Sequence, residues 1–229
     1  MKAKIGKSYL TEVPHEGKEI SFQYPVFRGR YGNVAEQIDK EGLNRPNSAE
    51  TASLVYDAFQ NPKGEYESKI IKILKDRLFW EFTGNFYLPK SNEEINNGVI
   101  LETNPKIVNG RLDMNKESLI KRLQKNDSLV KFVSFGYKTG EQKEIELVKN
   151  PYIVARYGEE GAQKIAEIAS KFKNNPKLWS FDSVSDEKTR MSALGYDWLF
   201  GNWLDVDGDY WDDDDGGHAF GVCTSRKDK

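Results

Sequence analysis

The chain has 229 residues and a mass of 26.2 kDa, a length that fits one large domain or two small ones, of which one is the simpler starting point. Hydrophobic residues make up 38% and aromatics 12%, enough apolar material to close a core and to exclude a disordered chain. The 34 basic and 36 acidic side chains nearly cancel, which excludes a net field drawing the protein to nucleic acid or an anionic membrane, and no apolar run reaches the roughly 20 residues of a membrane span.

Residues Met1 to Leu10 alternate Lys with small residues and lack an apolar core of signal-peptide length. The single cysteine, Cys223, leaves no internal disulfide and no multi-cysteine metal cage, and it suits a reducing compartment. A soluble protein, cytoplasmic by default, is the expectation.

Ile20, Phe22 and Tyr24 alternate with polar residues, the period of a strand with one buried face, and Pro25 with Arg28-Gly29-Arg30 ends it. Arg28, Arg30 and Tyr31 read as a turn with local stacking. Asn47 is placed to cap a helix, with Glu50 three residues on and Ala52, Val55, Ala58 and Phe59 forming its apolar stripe. A second helix is expected from Glu65 to Trp80, because Tyr66, Ile70, Ile73, Leu74 and Leu78 recur at helical spacing.

From Phe82 to Val108 the sequence breaks into short apolar pieces between Asn, Gly and Pro, predicting irregular connections with at most one strand. Asn115 to Gln124 predicts a short helix. Leu129 to Tyr137 predicts a strand that turns at Thr139-Gly140 into a hairpin carrying Ile145 and Leu147. Glu159 to Phe172 predicts another helix, with Ala162, Ile165, Ala166, Ala169 and Phe172 on one face. With no linker-like composition and no internal repeat, one α+β domain is the economical organisation.

The texture changes only near the C-terminus. Between Asp205 and Asp215 there are seven Asp and no Lys or Arg, interleaved from Gly195 onward with Trp, Tyr, Gly and Asn. Neither a helical nor a strand period persists through this stretch, and Gly and Asp disfavour both interiors, so most of it is expected to be loop. Tyr and Trp offer large contact area at low rotamer entropy, and Asp, Asn and Gly supply adaptable polar contacts, the chemistry of a binding face. The bland alternative is core tryptophans followed by a solvated acidic end. The frequent aromatics and the apolar Ala219-Phe220-Gly221-Val222, which resembles a closing core strand, weigh against it.

Other chemistry finds less support. Asp205, Asp207 and Asp209 have the 1, 3, 5 spacing of a calcium loop, but Tyr210 and Gly216 occupy the positions where an EF-hand needs Gly and Glu. A looser site in which a cation relieves the clustered carboxylates stays open, and with it a calcium-dependent carbohydrate-binding protein or hydrolase using the Asp205 to Asp215 cluster. Gly6-Lys7-Ser8 lacks the first glycine and the preceding strand of a phosphate-binding loop. Of the two histidines, His15 reads as a surface residue. His218 sits beside enough carboxylate to titrate high, but as the lead into an apolar strand it reads as structural. Cys223 reads as an inert thiol.

The stretch from Leu194-Gly195 through Asp205-Val206-Asp207-Gly208 to Gly217-His218-Ala219-Phe220-Gly221-Val222 resembles the variable region of a diversity-generating retroelement variable protein of the archaeal type. Asn61-Pro62-Lys63-Gly64-Glu65-Tyr66-Glu67, Tyr87-Leu88-Pro89-Lys90 and Asn150-Pro151-Tyr152 are similar to the scaffold of such proteins, so the resemblance is near full length. It implies a C-type lectin-like fold over residues 1–229, with helices packed around short antiparallel sheets. It also implies a loop-rich variable region over residues 190–223, rewritten by a retroelement through adenine-directed errors.

Carried onto this chain, the resemblance makes Tyr196, Asp197, Asn202, Asp205, Asp207, Asp209, Tyr210, Asp212, Asp213, Asp214 and Asp215 diversified contact positions. Trp198, Trp203 and Trp211 join them, although a Trp can arise from an altered Arg codon or be original core. Leu204, Ala219, Phe220 and Val222 would be fixed scaffold. The expected protein is not an enzyme and uses no cofactor and no metal. It recognises a macromolecular ligand, a protein and a basic one, with no nucleic-acid partner and no membrane insertion.

Overall fold

The computed structural model describes residues 8–197, 202–210 and 216–223. The first elements are a hairpin of β1 (Ser8–His15) and β2 (Lys18–Tyr24). β2 is the strand that the alternation of Ile20, Phe22 and Tyr24 predicts, with Phe22 fully buried. β1 escapes sequence reading because its register shifts between Leu10 and Val13. Both residues are buried although three positions apart, so an irregularity erases the two-residue period.

β3 (Phe27–Gly29) leads directly into α1 (Tyr31–Lys40). The expected turn at Arg28, Arg30 and Tyr31 is therefore corrected: Arg28 lies in the strand, and Tyr31 opens a helix that buries Val34, Ala35 and Ile38. α2 (Ser48–Gln60) starts as predicted. The Asn47 side chain accepts the Glu50 N–H at 3.0 Å, and the Glu50 carboxylate accepts the Asn47 N–H at 2.9 Å, so two otherwise orphaned donors are satisfied reciprocally.

α3 (Glu65–Asp76) ends short of the predicted Trp80. Leu78 and Trp80 instead begin β4 (Leu78–Leu88), and β5 (Gly98–Thr103) pairs antiparallel with it. The stretch expected to be irregular thus holds the centre of the main sheet. Every residue of β4 from Phe79 to Leu88 is buried, and a strand covered on both faces carries no alternation to read.

A small ribbon, β6 (Ile107–Val108) with β7 (Arg111–Leu112), precedes α4 (Lys116–Gln124), which Asn115 caps as predicted. β8 (Val130–Ser134) is the expected strand, but the expected hairpin does not form. β8 pairs with β5, β9 (Gly140–Glu141) pairs with the later β10 (Lys177–Trp179), and Ile145 and Leu147 lie in the short helix α5 (Glu144–Leu147). α6 (Pro151–Ala169) is interrupted at Gly158, whose φ of 73° leaves the helical region. The predicted helix from Glu159 is its second half, and Pro151 at the first helical position begins the half that sequence reading omits.

The C-terminal region is largely strand rather than loop. β11 (Lys188–Asp197), β12 (Trp203–Tyr210), β13 (Gly217–Ala219) and β14 (Val222–Cys223) account for most of its described residues. Nine strands form one sheet along the path β3-β13-β4-β11-β12-β10-β9, with β5 and β8 branching from β4. Parallel pairing of β10 with β12 and of β13 with β4 makes this sheet mixed, where short antiparallel sheets were expected. β14 joins β2 and β1 in a separate three-stranded sheet.

The architecture is α+β, with six helices and several sheets among the described residues. α2, α3 and α6 cover one face of the large sheet, where Phe79, Tyr87, Leu194, Leu204 and Val206 enter the main core. On the other face α1 packs Tyr31, Val34 and Ile38 against Trp80, Phe82 and Ala193, and α4 packs Leu119 against Phe86 and Ile100. No helix among the described residues is long and apolar enough to cross a membrane.

Candidate functional site

β12 reads Trp203-Leu204-Asp205-Val206-Asp207-Gly208-Asp209-Tyr210, and in a strand successive side chains point to opposite faces. Leu204 and Val206 are fully buried on the main-core face, while Trp203, Asp205, Asp207 and Asp209 are half-buried on the other. Burying a Leu or Val contributes about 1.5–3 kcal/mol each. The poor strand propensity of Asp spans only about 1 kcal/mol. Burial and cross-strand pairing therefore override the composition that suggested a loop.

Gly208 continues the buried register and lies beneath two tyrosines. The Tyr87 hydroxyl donates to the Gly208 carbonyl at 2.8 Å, and a Cβ at Gly208 would fall 1.8 Å from the Tyr152 hydroxyl. These tyrosines belong to a buried polar chain. Tyr152 donates to Asn85 Oδ1 at 2.7 Å, and Asn85 donates to Ser192 Oγ at 2.9 Å. Arg156 reaches the Tyr152 hydroxyl at 3.3 Å, the Ala193 carbonyl at 3.2 Å and the Glu81 carboxylate. Glu81 also accepts from Ser48 at 2.9 Å and Tyr157 at 3.0 Å. The core behind β11 and β12 is braced by directional bonds as well as by packing.

On the open face, the register sets Asp205 opposite Gly195, Asp207 opposite Ala193 and Trp203 opposite Asp197 on β11. On the other side it sets Asp205 beside Lys177 and Asp207 beside Trp179 on β10. Asp205 Oδ1 accepts the indole N–H of Trp179 at 2.7 Å and that of Trp203 at 2.8 Å. The Lys177 ammonium stands 3.6 Å from the Trp203 ring centroid and 5.4 Å from that of Trp179, a cation–π arrangement. Two indoles, a lysine and a carboxylate thus form one ordered patch on two strands.

Lys177 and Trp179 are contributors that sequence reading misses. Their signal is faint: Leu178 is buried between them, a three-residue alternation too short to separate from chance. Trp179, at 43% exposure, is the aromatic most open to a partner on this patch.

Beside the patch, a pocket of about 240 Å³ is bounded by Arg77, Ala193, Gly195, Asp205, Asp207 and Tyr210. The absence of a side chain at Gly195 and the small one at Ala193 leave this room. Burial raises the carboxyl of Asp205, opposed by the two indole donors. Burial, then the neighbouring Asp209, pushes Asp207 well above the usual range, and burial also raises Asp209. The Asp209 N–H donates to Asp207 Oδ1 at 3.1 Å.

Because the folded value for Asp207 lies above the unfolded one, near 3.9, this group stabilises the fold below about pH 4, and that contribution is lost as pH rises through the folded value. Asp207→Asn removes the loss. The variant is expected to melt a few degrees above the parent at pH 7, with the gap closing toward pH 4. Thermal melts across that range check it, and a parent that outlasts the variant at pH 7 would refute the assignment.

The remaining sequence-predicted contacts divide. Tyr210 is only half open, its ring meeting Trp80 edge-on at 5.2 Å. Tyr196 shares the face of Leu194 and stacks on Phe172 at 4.8 Å, and its hydroxyl donates to Asn202 Oδ1 at 2.5 Å. It therefore does not project with Asp197, Trp203 and Asp205. Asn202 is exposed. Trp198, Trp211, Asp212, Asp213, Asp214 and Asp215 lie outside the described residues.

Among the described residues, no group of three or more His, Cys, Asp or Glu side chains converges on a point that could hold a metal ion. On β12 the aspartates stand at alternate positions, their backbones about 6–7 Å apart along the strand, and the Asp207 and Asp209 side chains reach each other within hydrogen-bond distance. His15 departs from its expected surface position, and His218, although structural as expected, does not titrate high. His15 is buried, with Nδ1 3.0 Å from Ser53 Oγ, so it is no surface residue. His218 is also buried, and its value is lowered by desolvation and then by Arg28 and Arg77. Among the described residues it pairs across strands with Arg28. Burial raises the Cys223 thiol, which disfavours a reactive thiolate. Ala219, Phe220 and Val222 are buried as predicted for a closing segment.

No protein-family model matches the chain, and neither a curated protein nor a solved structure matches it significantly.

Proposed function

We propose that the protein is a non-enzymatic binding module, a diversity-generating retroelement variable protein of the archaeal type, whose region 190–223 is rewritten by adenine-directed mutagenesis. On this reading residues 1–229 form one C-type lectin-like domain. The β12 face, with Asp197 and Trp179 beside it, contacts a macromolecular ligand, a protein with a basic surface.

The observation that carries this is the alternation of β12. The positions assigned as variable, Trp203, Asp205, Asp207 and Asp209, share the half-open face, while Leu204, Val206 and Gly208 between them carry the packing. A surface meant to be rewritten needs this separation, because substitutions outside the core generally cost less stability than those within it. Half-buried indoles and carboxylates around a small pocket also suit contact residues, which gain most where water is excluded.

The test is genomic. A near-identical repeat of the segment encoding residues 190–223, differing only opposite adenines and lying beside a reverse transcriptase gene, is expected. Its absence would sink the retroelement part of the reading. A basic protein partner should associate more slowly as salt rises through the screening range. Heat released on titration with millimolar calcium would instead favour a calcium-dependent carbohydrate-binding protein or hydrolase acting through the Asp cluster.

A further inference from the structure

The far branch of the large sheet ends on an open edge. β8 pairs with β5 on one side, and no strand lies on the other among the described residues. The Thr103 N–H donates to the Leu129 carbonyl and the Phe135 N–H to the Asn97 carbonyl, at 2.8 and 2.9 Å. These bonds join residues directly opposite each other in the register, so odd-numbered residues from Leu129 to Phe135 face β5 and even-numbered ones present their backbone outward. The Val130 N–H is taken by the Asp127 carbonyl at 3.1 Å. The outward N–H and C=O groups of Phe132 and Ser134 have no backbone partner among the described residues.

Next to this edge lies a groove of about 900 Å³ between β8 and the start of α6, with Val133, Phe135, Pro151 and Val154 among its walls. Its margin is basic. Lys131, Lys138 and Lys149 line it against a single carboxylate, Glu146, which Lys138 already holds at 2.7 Å.

We propose that this edge and groove bind an extended acidic segment of a partner protein, added as a further strand beside β8. A strand placed there would run about 4.8 Å from β8. It would complete the backbone bonds of Phe132 and Ser134 and set alternate side chains over Pro151 and Val154. The lysines select acidic residues on such a strand. They also disfavour a second copy of this chain, which would bring its own Lys131, Lys138 and Lys149 against these, the usual way a charged edge blocks self-pairing. The site is separate from the β12 face and does not depend on its role.

The experiment uses the full chain, isotope-labelled, with the synthetic pentapeptide acetyl-Asp-Val-Asp-Val-Asp-amide. At saturating peptide, hydrogen exchange at the Phe132 and Ser134 amides is expected to slow by about tenfold or more, while Lys131 and Val133, already bonded to β5, stay unchanged. The matching Lys-Val peptide should protect neither amide. Lys131→Glu and Lys149→Glu, both at exposed positions, should each weaken the acidic peptide by about tenfold, which is about 1.4 kcal/mol. Three results would overturn the proposal: no protection at millimolar acidic peptide, equal protection by the lysine peptide, or protection that rises with protein concentration alone and so marks a self-paired edge.

Discussion

Replacing Arg156 by methionine should cost about 3–5 kcal/mol, because it leaves a buried carboxylate without its partner. Both Arg156 and Glu81 have side chains with no solvent exposure. The guanidinium meets Glu81 and also ties Ser48 Oγ at 3.0 Å to the Tyr152 hydroxyl and the Ala193 carbonyl. Its loss therefore takes a donor from acceptors on α2, β4, α6 and β11 at once. For a chain of this length each kcal/mol is worth about 2–4 °C, so a drop of roughly 10 °C is expected in a thermal melt. Adding Glu81→Leu should recover much of that loss, since an apolar pair of similar volume replaces the ion pair without a stranded charge. If the single variant melts with the parent, the polar chain does not brace β11 and β12 as described.

Phe220→Ala carries the second large effect. Phe220 is 1% exposed, and its ring lies 6.0 Å from Phe79 and 6.4 Å from Tyr24. It stands between β13, which docks on β3 and β4, and β14, which docks on β2. Truncating a buried Phe costs about 3–5 kcal/mol through lost transfer energy and the cavity left behind. The loss should be concentrated where the C-terminal strands are held. Amide exchange at Ala219 and Val222 is expected to rise more than exchange in α2, and uniform acceleration across the chain would argue against a local role.

Sequence legibility followed locality. α2 was readable because Asn47 and Glu50 cap it within one turn, and α4 because Asn115 does the same by accepting the Ser118 N–H. β2 showed its period directly. β4 did not, because a strand buried on both faces looks like any apolar run, and its Leu78 and Trp80 extend the helical spacing of α3 by coincidence. β1 was hidden by one irregularity at Leu10 and Val13.

The candidate site divides in the same way. Asp205, Asp207 and Trp203 stand out by composition alone, yet their arrangement as one face needed the Leu204 and Val206 alternation to outweigh the low strand propensity of Asp and Gly. Trp179 and Lys177 were invisible for another reason. They join the patch through parallel pairing of β10 with β12, a contact between segments more than twenty residues apart that no local pattern encodes. Tyr196 stands out by type, but strand parity turns it toward Phe172.

The two tyrosines above Gly208 act on β12 as a pin acts on a sliding rule. With Tyr152 against the Gly208 Cα and Tyr87 bonded to its carbonyl, no other residue of the strand fits at that point, so the strand cannot slide along its neighbours. Gaining or losing one residue between Trp203 and Gly208 would turn Asp205 or Asp207 inward and bring Leu204 or Val206 out to water. Change on this face is therefore confined to exchange of one side chain for another at constant length. The spelling of β12 can vary at every second letter, but the number of letters cannot.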